Sequence, residues 1–190
     1  MNLEKRRSRY VALLLTAVGA LLRVVPHPPN FAPIGVTGLF SGSRLRGWEA
    51  YLVPLIAMAL TDPIMSALAG HYPAYSPMTV VIYASLMVYV WLGRTFLRDS
   101  QNLVRIAAVC LAGSTQFFLI TNFFVWLGAE VEYPHTWAGL ITCYTEALPF
   151  LERTVLGDLF YTGVLTFAYL FLTRHFGAEA REQRAGSPSH

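Results

Sequence analysis

Between residues 10 and 173 the chain keeps returning to apolar runs close to the length of a membrane crossing, and that rhythm limits the possible folds more than any single motif. A helix needs about 20 apolar residues to cross a hydrocarbon core. Runs of this kind occupy 10–25, 48–69, 78–97, 103–128 and 151–173. Charged residues make up 13% of the chain and mean hydropathy is +0.46. Soluble domains carry about 25% charged residues, and a chain so poor in charge cannot cover a globular surface. The expected class is therefore an all-α integral membrane protein.

The placement of basic residues gives orientation. Lys5, Arg6, Arg7 and Arg9 precede the first run, Arg44 and Arg46 precede 48–69, and Arg94, Arg98 and Arg105 surround the connection before the fourth of these runs. Arg174, Arg181 and Arg184 follow the last one. The connections 26–30, 70–77 and 129–136 hold no Lys or Arg. Basic and bare connections alternate only if a shorter apolar run, 31–42, also crosses, despite Pro33, Gly35, Gly38 and Gly42. Proline and glycine are tolerated in membranes where neighbouring helices shelter the backbone. The expectation is six transmembrane helices in one bundle over residues 10–176, in an inner membrane with both termini cytoplasmic. A basic N-terminus, 1–9, precedes the bundle and a flexible tail, 177–190, follows it. The start also has the layout of a signal peptide, but cleavage there would leave five spans and spoil the alternation. Residues 137–149, WAGLITCYTEALP, are expected to form a short re-entrant or interfacial helix before the last span.

With orientation fixed, position along each run becomes depth, at about 1.5 Å per helical residue. Arg23, His27, Asn30, Asp62, Tyr83, Asn122, Trp126, Glu146, Arg153 and Asp158 all fall in the half opposite the basic connections. Ionisable groups within spans are costly and usually face a bundle interior or a wet cavity. Several at one depth point to a polar pocket that opens outward. Its expected lining is His27, Asn30, Asp62, Tyr83, Asn122, Trp126, Glu146 and Arg153, with Arg23 and Asp158 as internal neutralising partners. The segment RVVPHPPNFAPIG, 23–35, is expected to form a rigid wall or lid, because its prolines fix the backbone and remove amide donors. Plainer roles stand beside these. Arg23 can snorkel to headgroups or pair with Asp62 or Asp158. Asp62, in LTDPIM, can instead satisfy backbone groups loosened by Pro63. The aromatic residues near span ends fit an interfacial belt.

Several chemistries are set aside. No Gly-rich phosphate loop, H-E-x-x-H or G-x-S-x-G occurs, so no enzyme is expected, and no cofactor. Cys110 and Cys143 belong to opposite leaflets, which excludes a disulfide or a shared metal. Cys143 alone remains a candidate soft ligand to a bound metal-containing molecule. Basic residues flanking spans account for the net charge of +3, so no nucleic-acid partner is expected, and the surroundings are membrane lipid. Ala12, Thr16 and Ala20 place small side chains on one face of the first helix, open either to internal packing or to a partner helix.

PHPPNFAPIG, VPLIAMALTDP, TNFFVW and CYTEALPFLERTVLGDLFYT together resemble a family of small uncharacterised bacterial membrane proteins. This family looks related to the S components, the substrate-binding subunits of energy-coupling factor transporters. The resemblance spans roughly residues 10–173. It implies a six-helix bundle that takes a micronutrient from outside, such as cobalamin, another vitamin or a queuosine-type base. It also implies docking through the first helix onto a transmembrane coupling subunit driven by ATPases. Thr16 departs from an all-alanine face, which leaves that docking open. The rival readings are a membrane scaffold whose polar cluster locks helices together, and an intramembrane enzyme.

Overall fold

The computed structural model describes residues 3–26, 28, 30–70, 73–98, 100–128 and 133–185. Six helices follow one another: α1 (Leu3–Leu22), α2 (Ile34–Arg44), α3 (Glu49–Ala69), α4 (Pro77–Phe96), α5 (Leu103–Leu127) and α6 (Trp137–Ala185). No strand occurs among the described residues. Four helices are long and apolar enough to cross a membrane: α3, α4, α5 and the Trp137–Phe176 part of α6. The other two are shorter than the expected crossings. The apolar part of α1 begins only at Tyr10 and rises about 20 Å, and the 11 residues of α2 rise about 16 Å.

Contacts between helices fix their directions. Arg9 near the start of α1 pairs with Glu49 at the start of α3, while Arg23 just beyond α1 pairs with Asp62 far along α3. These two helices are therefore parallel. α2 and α4 also run parallel, since Gly35 faces Tyr89 and Gly42 faces Val90 and Arg94. One end of the molecule gathers the basic side chains. There Arg7 donates to the Phe176 carbonyl at 2.7 Å, Arg44 to the Ser100 carbonyl at 3.1 Å and Arg94 to the Gly47 carbonyl at 3.2 Å. Arg44 also stacks over the Tyr169 ring, 4.8 Å from its centroid.

α2 is the central post of the bundle. It touches all five other helices, and every residue from Gly35 to Ser43 is buried. Glycine permits this closeness at two positions. A side chain at Gly42 would collide with the Val90 carbonyl oxygen of α4, and one at Gly93 of α4 with the Leu39 carbonyl oxygen of α2. Around the post pack Val11, Ala12 and Leu15 of α1, Ala50 of α3, Val90 of α4 and Leu165 of α6.

α3 contains Pro54 and Pro63, and a proline leaves the carbonyl four residues earlier without its helical donor. Both orphaned oxygens are supplied from outside the helix. Ser41 of α2 donates to the Ala50 carbonyl at 2.9 Å, and the Tyr75 hydroxyl donates to the Ala59 carbonyl at 2.7 Å. α3 ends at Gly70, whose φ of 71° closes a left-handed cap. α4 starts after Ser76, whose amide donates to Thr79 Oγ1 at 2.9 Å. α5 starts on Asn102, whose side chain accepts from the Arg105 amide at 3.0 Å.

One expectation changes, and two others gain detail. Residues 137–149 do not form a separate short helix but run straight on into α6, with Pro149 inside it. Ser114 bonds to Asp158 and Asn122 to Cys143, contacts eight residues apart on α5 (114 to 122) but fifteen apart on α6 (143 to 158). About 22 Å of α6 is thus matched to about 12 Å of α5, so the first third of α6 crosses α5 obliquely. The tail from Gly177, expected to be flexible, continues α6 as helix to Ala185, where Ala, Glu, Arg and Gln are all good helix formers. The face of Ala12, Thr16 and Ala20, at 0%, 0% and 2% exposure, is closed inside the bundle and not offered to a partner helix. Its small side chains instead let α1 approach α2, where Gly19 meets Thr37.

The outward surface is apolar. Leu52, Ile56, Leu60, Ile64 and Leu68 form an exposed stripe along α3, and Tyr10, Leu14, Val18 and Leu21 form another on α1. Stripes of this length are unfavourable in water and suit hydrocarbon. With the four long apolar helices, they make this a membrane protein.

Candidate functional site

Two aspartates lie inside the bundle on different sides of α4, Asp62 toward the end opposite the basic side chains and Asp158 level with the middle of α5. Asp62 of α3 is held on both oxygens: Oδ1 accepts from Arg23 at 2.6 Å and Oδ2 from the Tyr83 hydroxyl of α4 at 2.6 Å. The same Arg23 nitrogen lies 3.1 Å from Thr61 Oγ1 and 3.0 Å from Met58 Sδ. The Arg23 and Asp62 side chains are only 12% and 11% exposed. The carbonyl that Pro63 orphans accepts from the Tyr75 hydroxyl, and an ionised Asp62 has no proton to offer it.

Asp158 of α6 is buried deeper, at 1% exposure. Tyr89 of α4 and Ser114 of α5 both donate to its Oδ2, at 2.8 and 2.7 Å. Among the described residues no donor reaches its Oδ1. Two glycines make room for the Tyr89 ring, since a side chain at Gly35 or Gly113 would overlap it. Just beyond Asp158, one turn on, Thr162 Oγ1 lies 3.7 Å from Cys110 Sγ.

Asp158 closes the inner end of a cavity of about 70 Å³, lined also by Asn30, Ala32, Ile34, Gly35, Tyr89, Phe117 and Thr154. Asn30, at the other end of this lining, is exposed and adopts a left-handed φ of 62°. Asn30, Ala32, Ile34 and Gly35, at the end of the proline segment and the start of α2, thus form one wall of the cavity. Phe31 pins it to α6, with ring centroids 5.9 Å from Phe160 and 5.6 Å from Tyr161.

Of the residues singled out in the sequence, the structure brings Arg23, Asp62 and Tyr83 into one cluster and Asn30 and Asp158 into the cavity. Asp158 meets hydroxyls, and among the described residues it meets no cation. His27 lies outside the described residues. Asn122, Trp126 and Glu146 sit apart from the cavity where α5 meets the oblique part of α6. There Asn122 Nδ2 donates to the Phe118 carbonyl at 2.8 Å and Trp126 Nε1 to the Pro134 carbonyl at 3.0 Å. The Tyr133 hydroxyl donates to Glu146 at 2.7 Å, and that bond pushes the phenol up to about 12. Arg153 is exposed on α6. Cys143 is buried with its thiol 3.5 Å from the Asn122 carbonyl oxygen, so it faces α5 and not the cavity. Among the described residues no three His, Cys, Asp or Glu side chains are grouped to hold a metal ion. Tyr89, Ser114, Thr154 and Phe117 escaped the sequence reading. Thr154 had one usable signal, being four residues before Asp158 on the same helical face.

No curated protein and no solved structure matches the chain. A family signature matches residues 3–183, and the chain belongs to that family, DUF6580, a family of unknown function.

Proposed function

We propose that the chain is a six-crossing protein of the bacterial inner membrane, of the S-component kind, that binds a small water-soluble nutrient from the face opposite its basic end. The observation that carries this reading is the cavity that ends on the buried Asp158 and is walled by the proline segment. A buried carboxylate with an open oxygen, reached past an exposed loop residue, is an arrangement suited to capture. The alternating helix directions and the basic side chains gathered at one end support six crossings, with both termini cytoplasmic. α1 and α2 are short for crossings, but α2 is sheathed by its neighbours and does not have to span lipid alone. At about 70 Å³ the cavity holds only one group of a vitamin-sized molecule, so a larger ligand requires the proline wall to move. A transmembrane coupling subunit would have to dock elsewhere than on Ala12, Thr16 and Ala20.

Native mass spectrometry of detergent-purified protein from a vitamin-rich host tests the reading. A stoichiometric small-molecule adduct, lost in Asp158→Asn, is the expected result. The Arg23, Asp62 and Tyr83 cluster favours a second reading, a scaffold locked by polar contacts. Absence of any adduct, with no thermal stabilisation across a vitamin and nucleobase panel, would leave the scaffold standing.

A further inference from the structure

Asp62 and Asp158 are both carboxylates within the bundle, yet only one has capacity to spare. Arg23 and Tyr83 occupy the two oxygens of Asp62. At Asp158 two hydroxyls share Oδ2, and among the described residues nothing donates to Oδ1. Among the described residues no Lys, Arg or His lines the cavity. A carboxylate removed from water without a cation costs several kcal/mol. The start of α2 at Ile34 lies beside it, but a helix N-terminus carries only about half a charge.

The rest of the wall narrows the ligand further. The Tyr89 hydroxyl gives its proton to Asp158, and the Thr154 hydroxyl gives its own to the Phe150 carbonyl at 2.8 Å. Both hydroxyls therefore present only lone pairs to the cavity. Beside them stand the rings of Tyr89 and Phe117, and the apolar Ile34 and Ala32. Among the described residues near Asp158 the side chains accept hydrogen bonds and offer none. An inorganic ion such as calcium wants six to eight oxygens around it, which this half-apolar lining does not supply. A protonated amine needs three acceptors and tolerates aromatic faces.

We propose that the cavity seats a protonated amine, its N–H groups directed to Asp158 Oδ1, Tyr89 Oη and Thr154 Oγ1. This assignment rests on the reading that the cavity binds a small molecule, and it specifies the chemical class of that molecule. A water molecule takes about 30 Å³, so the cavity fits an ammonium with one or two carbons, and any longer ligand extends past Asn30 toward the exterior.

The test is thermal unfolding of the full-length protein in detergent with methylammonium chloride, against sodium chloride at equal ionic strength and methanol at equal concentration. The expected result is a saturable rise in melting temperature with methylammonium alone. It should be absent in Asp158→Asn and shifted to about tenfold higher concentration in Thr154→Val, the value for one lost hydrogen bond of about 1.4 kcal/mol. Thr154→Val leaves the carboxylate network intact and keeps the test valid if Asp158→Asn does not fold. No stabilisation by methylammonium, equal stabilisation by sodium, or an unchanged response in Asp158→Asn would each overturn the amine assignment. A co-purified molecule that lacks an amine would also overturn it, while leaving nutrient capture standing. Saturable methylammonium binding without any co-purified molecule would support the amine seat and count against capture of a tightly held nutrient.

Discussion

Asp62 and Asp158 differ in what a neutral replacement should cost. Asp62→Asn takes the carboxylate out of a pair whose two side chains are about one-tenth exposed, and removing one partner of a buried pair costs about 3 kcal/mol or more. Denaturant unfolding in mixed micelles, followed by circular dichroism, should record that loss. Tyr83→Phe, which removes one neutral donor, should cost about 1 kcal/mol. If Asp62→Asn left stability unchanged, the cluster would not be the lock described here. Its three members were legible in the sequence, because a depth ruler puts Arg23, Asp62 and Tyr83 at the same end. Tyr89 and Ser114 were not, because depth says nothing about facing. Only the packing of α2 and α5 against α4, through Gly35 and Gly113, turns the Tyr89 hydroxyl toward α6.

Between elements, the prolines of α3 offer a sharper test than deletion of any one contact. Ser41→Ala should cost about 1 kcal/mol by leaving the Ala50 carbonyl without a donor. In a Pro54→Ala background the restored amide can bond that carbonyl within α3, and the same substitution should then cost much less. A double-mutant cycle of unfolding free energies measures the difference, and equal costs in both backgrounds would show that Ser41 does something else. At the contact of α2 and α4, Gly42→Ala forces a methyl group into the Val90 carbonyl. That should cost about 1 to 3 kcal/mol, as overpacking does, visible as a lower melting temperature. Four of the six helices, α2 to α5, start and stop within a few residues of the apolar runs, since length and the flanking charges mark them, while α1 starts seven residues early, within the basic segment. α6 was misread because 137–149 was measured as a separate apolar stretch too short to cross, whereas one helix runs on through Pro149.

Across the whole molecule, the alternation of helix directions makes a prediction about sidedness. Asn30, between α1 and α2, and Gln101, between α4 and α5, are both exposed and lie at opposite ends. The two native cysteines are buried, so a membrane-impermeant thiol reagent should see little background. In intact cells Asn30→Cys should label from outside, and Gln101→Cys only after permeabilisation. If α2 did not cross, both would label from the same side. Charge alternation in the sequence is the reason to expect this arrangement, and α2, buried from Gly35 to Ser43, is the helix on which it turns. That burial also bears on how the chain is made. A short, glycine-rich helix gains little by entering lipid alone, and part of its sheath, α6, leaves the ribosome after the other five helices. Until then α2 has no finished socket, so a part of the bundle that is synthesised early is among the last to settle. A chain truncated after α5 should leave it exposed to the quality-control proteases of the membrane.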